Sequence, residues 1–340
     1  MAEALRRKLV ELDLLDRGKK VVRDGDFVVF PIAVEDFSAV KQLCEEFKCE
    51  VVKVEFPEVR PPSLTLHDVL SEKLPPHLLA SLPRAYDVIG DIAIIELPEE
   101  LLPYKELVGE ALMKVNSHVK AVFAKAGKVN GAYRVRKLLH LAGENRTVTR
   151  HKEYGCIFSV DVASTYFSPR LSWEHKRIAS LVKPGETVVD MFAGVGPFAI
   201  MIAREVDATV YAIDLNPEAI KHLKINLQLN KLRGKVIPIL GDTKEVIFKE
   251  LKGIADRVIM NLPHSSHLFL DAACAALKEK GGIIHFYTVA RDPNHLEQAE
   301  NLFSSSIPAG RRHIKRILHR RVVKAVAPRE WLVVMDAEVT

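Results

Sequence analysis

The chain lacks most of the features that mark whole classes of protein. Its 340 residues include only four cysteines, Cys44, Cys49, Cys156 and Cys274. None form a CxxC pair, and no histidine pair flanks them at zinc-ligand spacing. Neither a disulfide scaffold nor a structural zinc site is expected, and the thiols are predicted to be reduced. No other cluster of metal ligands is visible. Charges interrupt every apolar run well before the roughly 20 residues that a membrane-spanning helix needs. The start of the chain shows no secretion-signal pattern, so a cytoplasmic protein is expected. Repeats and low-complexity segments are absent too. What remains is a chain with 48% apolar residues, enough for a sizeable core without cross-links.

Bulk charge is also small, a net +5, but it is unevenly spread. Residues 1–60 carry 11 basic and 13 acidic side chains. From Met113 to Lys152 there are ten basic residues against the single acid Glu144. A second run, Arg311 to Lys324, holds seven Lys or Arg in fourteen positions. A single charge run is usually a solvated face. Two of them in one chain favour a polyanionic partner.

The pattern of elements changes twice along the chain. Residues 1–60 read as a small α/β domain. Leu5, Leu9, Leu12 and Leu15 mark a helix, and Asp24-Gly25 sits between β-branched runs as a hairpin turn within residues 20–30. A helix near Phe37–Phe47 and a strand at Glu50–Glu55 complete it. Pro57, Pro61 and Pro62 then mark an extended linker. Residues 66–160 read as a basic α+β domain with a mostly antiparallel sheet. Its predicted elements include a strand at Val88–Leu97, a helix at Pro103–Asn116 and strands at Ala121–Ala124, Tyr133–His140, Thr147–His151 and Ile157–Val160. From residue 161 to 340 strands and helices alternate, as in a doubly wound parallel sheet. Two final strands, His319–Ala327 and Trp331–Glu338, form a hairpin. This α/β layout resembles the Rossmann-like class I methyltransferases that use S-adenosylmethionine (AdoMet).

Residues at the strand ends sharpen that likeness. The strand Thr187–Met191 runs into Phe192-Ala193-Gly194-Val195-Gly196-Pro197, where Gly194 and Gly196 allow a tight turn close to a ligand. A lone GxG also suits a nicotinamide dinucleotide, and Ala199 does not exclude one. The later strands decide. The second ends in Asp214, placed to accept both ribose hydroxyls. The third ends in Gly241-Asp242, where a second acid can take an adenine amine. The fourth ends in Asn261-Leu262-Pro263, for which a nicotinamide enzyme has no matching need. Phe192, Gly194, Gly196, Asp214, Asp242 and Asn261 are therefore the expected cofactor residues. His264 follows the proline where enzymes acting on exocyclic amines carry an aromatic. No cysteine nucleophile for cytosine carbon 5 lies near. These absences argue against both classes and leave ring-nitrogen methylation in play.

A further constellation carries a closer resemblance. Asp161–Leu171, including Tyr166-Phe167-Ser168-Pro169-Arg170-Leu171, is followed by Glu174. Together with Arg134 in Gly131-Ala132-Tyr133-Arg134, the Asn261–Pro263 turn and Val322–Pro328, it resembles the archaeal and eukaryotic tRNA (guanine-37-N1)-methyltransferase family over nearly the whole chain. The resemblance implies roles. Glu174 would be the general base, Arg134 the arginine approaching the target guanine, Asn261 and Pro263 the acceptor turn, and Tyr166 a wall of the pocket. Arg170 joins Tyr166 and Pro263 as an expected substrate-binding residue. These types suit the chemistry. Guanine N1 carries a proton that a base must remove as the methyl arrives. Charge then grows on O6, where a guanidinium stabilises it.

The implied partner is tRNA, gripped at the anticodon stem-loop by the basic domain and touched at its outer corner by residues 1–60. The target base would be turned out into the pocket. A monomer is the default expectation. Three rivals stay open: an aminocarboxypropyl transferase of wyosine synthesis, a methyltransferase acting also on a tricyclic guanosine derivative, and a non-catalytic tRNA-binding module.

Overall fold

The computed structural model describes residues 2–25, 27–33, 37–58, 64–130, 135–308, 310 and 312–340. They divide into two compact units, Met1–Thr65 and Leu66–Thr340.

In the first unit, helix α1 (Ala2–Glu11) precedes the antiparallel pair β1 (Val22–Asp24) and β2 (Phe27–Val29), and helix α2 (Ser38–Phe47) follows. The hairpin forms where Asp24-Gly25 predicts it, with Gly25 at positive φ. The run Glu50–Glu55, expected as a strand, has no ladder partner. Val51, Val52 and Val54 are exposed, so β-branched composition alone did not make a strand there.

The second unit begins with two short helices, α3 (Leu66–Leu70) and α4 (Pro76–Ala80). A four-stranded sheet follows, built from β3 (Tyr86–Ile89), β4 (Ile92–Ile95), β5 (Ala121–Asn130) and β6 (Val135–Gly143), with α5 (Lys105–Val115) between β4 and β5. All its pairings are antiparallel except β4 with β5. The segment Val88–Leu97, read from sequence as one strand, is instead two strands folded at Gly90-Asp91. Gly90 has φ +59°, and a Cβ there would collide with Thr149. One face of this sheet buries Val122, Ala124 and Leu141 beneath α3–α5. The other contributes Ile89, Ile92, Ile94 and Phe123 to the same apolar cluster as Phe198 and Leu332 of the larger sheet. Alternating side chains along each strand make both faces apolar at once.

The hairpin β7 (Val148–Glu153) and β8 (Cys156–Asp161) was expected to close the basic domain. It forms a two-stranded sheet of its own that touches both neighbours: on the side of the smaller sheet, His151 Nδ1 and Thr149 Oγ1 accept from the Gly90 and Asp91 N–H groups at 3.0 and 3.3 Å. Asn226 and Asn230 of the helix α8 (Pro217–Leu229) end exchange side-chain hydrogen bonds with the backbone of Ser159 and Ile157. Next come helix α6 (Ser172–Leu181), strand β9 (Thr187–Asp190), helix α7 (Pro197–Glu205), strand β10 (Thr209–Asp214), then α8. They continue with β11 (Lys235–Leu240), α9 (Thr243–Glu250), β12 (Arg257–Met260), α10 (Leu270–Ala276), β13 (Gly282–Arg291), α11 (His295–Ser306), β14 (Ile314–Ala327) and β15 (Glu330–Val339). The seven strands lie in the order β11-β10-β9-β12-β13-β15-β14. The first five run parallel, and β15 joins β13 antiparallel. Val188 faces one apolar layer and its neighbour Val189 the other, so helices cover both sides, as a parallel sheet requires. Among the described residues no helix is long and apolar enough to cross a membrane.

Candidate active site

In an open parallel sheet, ligands bind beyond the carboxyl ends of the strands where the order reverses. Here that point lies between β9 and β12, and a cavity of ≈ 790 Å³ opens there. Its walls take Met191, Phe192 and Gly194 after β9, Asp214 after β10, Gly241 and Asp242 after β11, and Asn261 to His264 after β12. Tyr166, Arg170 and Lys324 close one side, and Asp87, Ile94 and Lys125 of the smaller sheet form another.

The wall formed after β9, β10 and β11 is organised by backbone groups. Asp214 Oδ2 accepts from the Gly194 N–H at 2.6 Å and Oδ1 from the Asn216 N–H at 2.8 Å. Burial pushes the Asp214 carboxyl up, against the pull of these amides. Gly196 has φ +87°, and a Cβ there would run into the Leu223 side chain, so the loop needs glycine at this point. Asp190, behind the loop, is fully buried, which pushes its carboxyl up to about 7. Asp242 lines the cavity and also caps α9, Oδ1 accepting from the Lys244 and Glu245 N–H groups at 2.9 and 3.1 Å. It therefore serves the fold whether or not a ligand is bound.

The acceptor turn is pinned from outside. The Pro263 carbonyl accepts from the Val289 N–H at 3.2 Å and the Thr288 hydroxyl at 3.3 Å. Ser266 Oγ, fully buried, donates to the Met260 carbonyl at 3.0 Å and accepts from the Leu262 N–H at 3.2 Å. Thr288 and Ser266 were invisible as site residues in the sequence, since each acts on the backbone of the turn rather than on a ligand. Arg170 reaches the cavity, but its Nε donates to Asp87 at 2.6 Å, tying the YFSPRL segment to β3. Lys324 donates to Ser168 Oγ at 3.0 Å. Burial lowers its amine below the usual lysine range, with Asp87 opposing.

Glu174 departs from expectation. It is only 1% exposed and does not line the cavity. Its Oε2 accepts from Arg177 Nε at 3.0 Å and from the Tyr287 hydroxyl at 2.9 Å. Arg321 approaches Oε1 at 3.1 Å. Arg177 is held in turn by Asp336, at 2.5 and 3.3 Å, and Asp336 also binds His285 Nδ1 at 2.7 Å. Burial and the Glu174 charge push Tyr287 well above its usual value, so it remains a donor. The i,i+3 pair of Glu174 and Arg177 is visible in the sequence, but residues 285, 287, 321 and 336 share no local pattern with it, so the cluster is not. Arg134 lies outside the described residues.

The second basic run is less free than its count suggests. Lys315 and Arg316 pair with Glu338, Arg320 with Glu300 and Arg321 with Glu174. Arg312 donates to the Leu277, Lys278 and Glu279 carbonyls. In the first run Arg146 is bound by Asp91 and Glu144.

Five parallel strands closed by a C-terminal antiparallel pair, with acids after the second and third, define a class I methyltransferase. Residues 149–313 match the TRM5/TYW2 methyltransferase domain, residues 66–147 the TYW2 N-terminal domain and residues 1–39 the tRNA methyltransferase 5 N-terminal domain. The chain is 40% identical to tRNA (guanine(37)-N(1))-methyltransferase Trm5b of Pyrococcus abyssi, over 99% of this chain and 96% of the relative. A crystal structure of that enzyme matches with a TM-score of 0.76. Identity and coverage are the same for Trm5b of Methanocaldococcus jannaschii. A solved complex of aTrm5 with tRNALeu matches with a TM-score of 0.70 and 37% identity, covering 99% of this chain and 96% of that one. The chain belongs to the TRM5/TYW2 methyltransferase family.

Proposed function

We propose that the protein is an AdoMet-dependent tRNA methyltransferase that modifies N1 of guanosine 37 in the anticodon loop. The observation that carries this is the single cavity wall joining Gly194, Asp214 and Asp242 to the pinned Asn261–Pro263 turn. The donor set fits the cofactor. Asp214 can accept ribose hydroxyls, Asp242 an adenine amine, and the glycine loop admits close backbone approach. When bound, AdoMet supplies an electrophilic methyl group on a positively charged sulfur.

The chain's own residues do the rest. Asn261 offers an amide that can pair with the edge of a planar base, held in place by the fixed Pro263 carbonyl. Tyr166, half exposed at the rim, offers a ring on which that base can stack. Glu174 takes the N1 proton. Because it sits behind the wall within a cage of cations, this role requires RNA binding to loosen the cage. Arg134 stabilises charge on O6. The smaller sheet grips the anticodon stem-loop, and residues 1–60 touch the outer corner of the tRNA.

The test uses methyl-labelled AdoMet and transcripts with guanosine or adenosine at position 37. Label should appear as 1-methylguanosine only with the guanosine transcript. Glu174→Gln should lower the rate at least about 100-fold while cofactor binding persists. Label elsewhere, or transfer of the aminocarboxypropyl chain instead, would overturn the assignment.

A further inference from the structure

One surface feature beside Glu174 is not used by the cavity. The Arg321 guanidinium lies over the Trp173 indole, its central carbon 3.7 Å from the ring centroid. The same guanidinium approaches Glu174 Oε1 at 3.1 Å, but without hydrogen-bond alignment. Glu174 Oε1 and Arg321 Nε are both buried with no hydrogen-bond partner. Buried polar atoms left in this way are costly, and two at one junction mark an arrangement that a ligand can improve. Trp173 itself is 47% exposed. Leu171, two positions before Trp173 in the chain, and Lys324, three positions after Arg321, both line the cavity.

An exposed indole beside a guanidinium is a surface for a flat, electron-rich ring with an anion attached. Unpaired nucleobases have that chemistry. They stack on aromatic rings and on arginine planes, while their phosphates supply acceptors. We propose that Trp173 and Arg321 form a second RNA subsite, which takes an unpaired nucleobase next to the one that enters the cavity. This rests on the RNA-methyltransferase reading of that cavity. Filling the subsite gives Arg321 a new acceptor and draws it from Glu174 Oε1. Arg321 is then a positioning residue, which releases the buried carboxylate only when the RNA is seated. The indole senses that seating.

The chain has two tryptophans, Trp173 and Trp331. Trp331 packs near Ala290 and Ala299, outside the cavity, so Trp331→Phe leaves the Trp173 indole as the sole tryptophan fluorophore. This variant is titrated with tRNA transcript in the presence of S-adenosylhomocysteine, with binding followed separately by anisotropy of end-labelled tRNA. Trp173 fluorescence should be quenched by intact tRNA, and much less by a transcript made abasic at one nucleotide flanking position 37. In the otherwise unchanged protein, Trp173→Ala should weaken tRNA binding roughly tenfold. It should also slow single-turnover methylation at saturating tRNA, with Trp173→Phe recovering most of both and AdoMet affinity unchanged. Bound tRNA that leaves Trp173 fluorescence unaltered, or Trp173→Ala with wild-type rate and affinity, would overturn the proposal. Quenching without 1-methylguanosine formation would instead sink the catalytic assignment and leave the subsite standing.

Discussion

Asp214 and Glu174 are both carboxylates set in the interior of the larger unit, yet their surroundings are opposite. Asp214 is held by the N–H groups of Gly194 and Asn216 at a strand end and still faces the cavity. Glu174 is held by side chains, two of them guanidiniums, and faces away from it. Backbone amides orient a carboxylate without neutralising it. A cage of cations fixes it and blocks it together. The wall proposed for the cofactor is therefore shaped before anything binds, whereas Glu174, if it is the base proposed above, has to be released.

Three measurements bear on that contrast. The largest effect is expected from Asp336→Ala, which leaves Arg177 and His285 buried without their shared partner. Breaking such a pair costs about 3–5 kcal/mol, readable by urea unfolding. The effect should depend on pH. Burial raises the Asp336 carboxyl, but His285 and Arg177 outweigh it and hold it well below the usual carboxylate range. A depressed acid stabilises the fold above its unfolded pKa, near ~4, and that contribution is lost as pH falls through the folded value. The gap between wild type and variant should thus be full at pH 7 and close only in strong acid. A gap under 1 kcal/mol at neutral pH would show the cage to be dispensable (about one surface pair in size).

Asp214→Ala should come next. It removes two hydrogen bonds that shape the loop as well as the proposed ribose acceptor. Calorimetry should show AdoMet binding roughly 100-fold weaker, with tRNA affinity kept. Equal loss of both ligands would mean that the loop had collapsed instead. The smallest change is expected from Arg170→Ala. Its bond to Asp87 is half exposed, so stability should fall by less than about 1 kcal/mol, while tRNA affinity drops several-fold. Unchanged affinity would make Arg170 a tie between sheets and nothing more.

The same contrast explains what could be read from the sequence. Asp214, Asp242 and Asn261 stand at strand ends, so strand periodicity alone locates them, and β9 to β13 were legible for the same reason. The cage around Glu174 depends on β13, β14 and β15 meeting α6, a long-range event with no local signal. The Gly90 turn was missed because apolar residues continue on both sides of it. The left-handed backbone at Gly90 and the approach of Thr149 and Arg150 from β7 show why a glycine is needed there. The first unit's Val51–Val54 run misled in the other direction, since a strand exists only where a partner strand receives it.

The smaller sheet shares an apolar cluster with the larger one, with Ile89, Ile94 and Phe123 packed in the layer that holds Phe198 and Leu332. Among the described residues, one apolar cluster joins the surface proposed to hold RNA to the cavity wall. A polyanion held at β3 or β5 would bear on the same sheet that places Asp87, Ile94 and Lys125 at the cavity. On the function proposed above, an RNA that fits badly on that sheet is expected to misplace the wall itself.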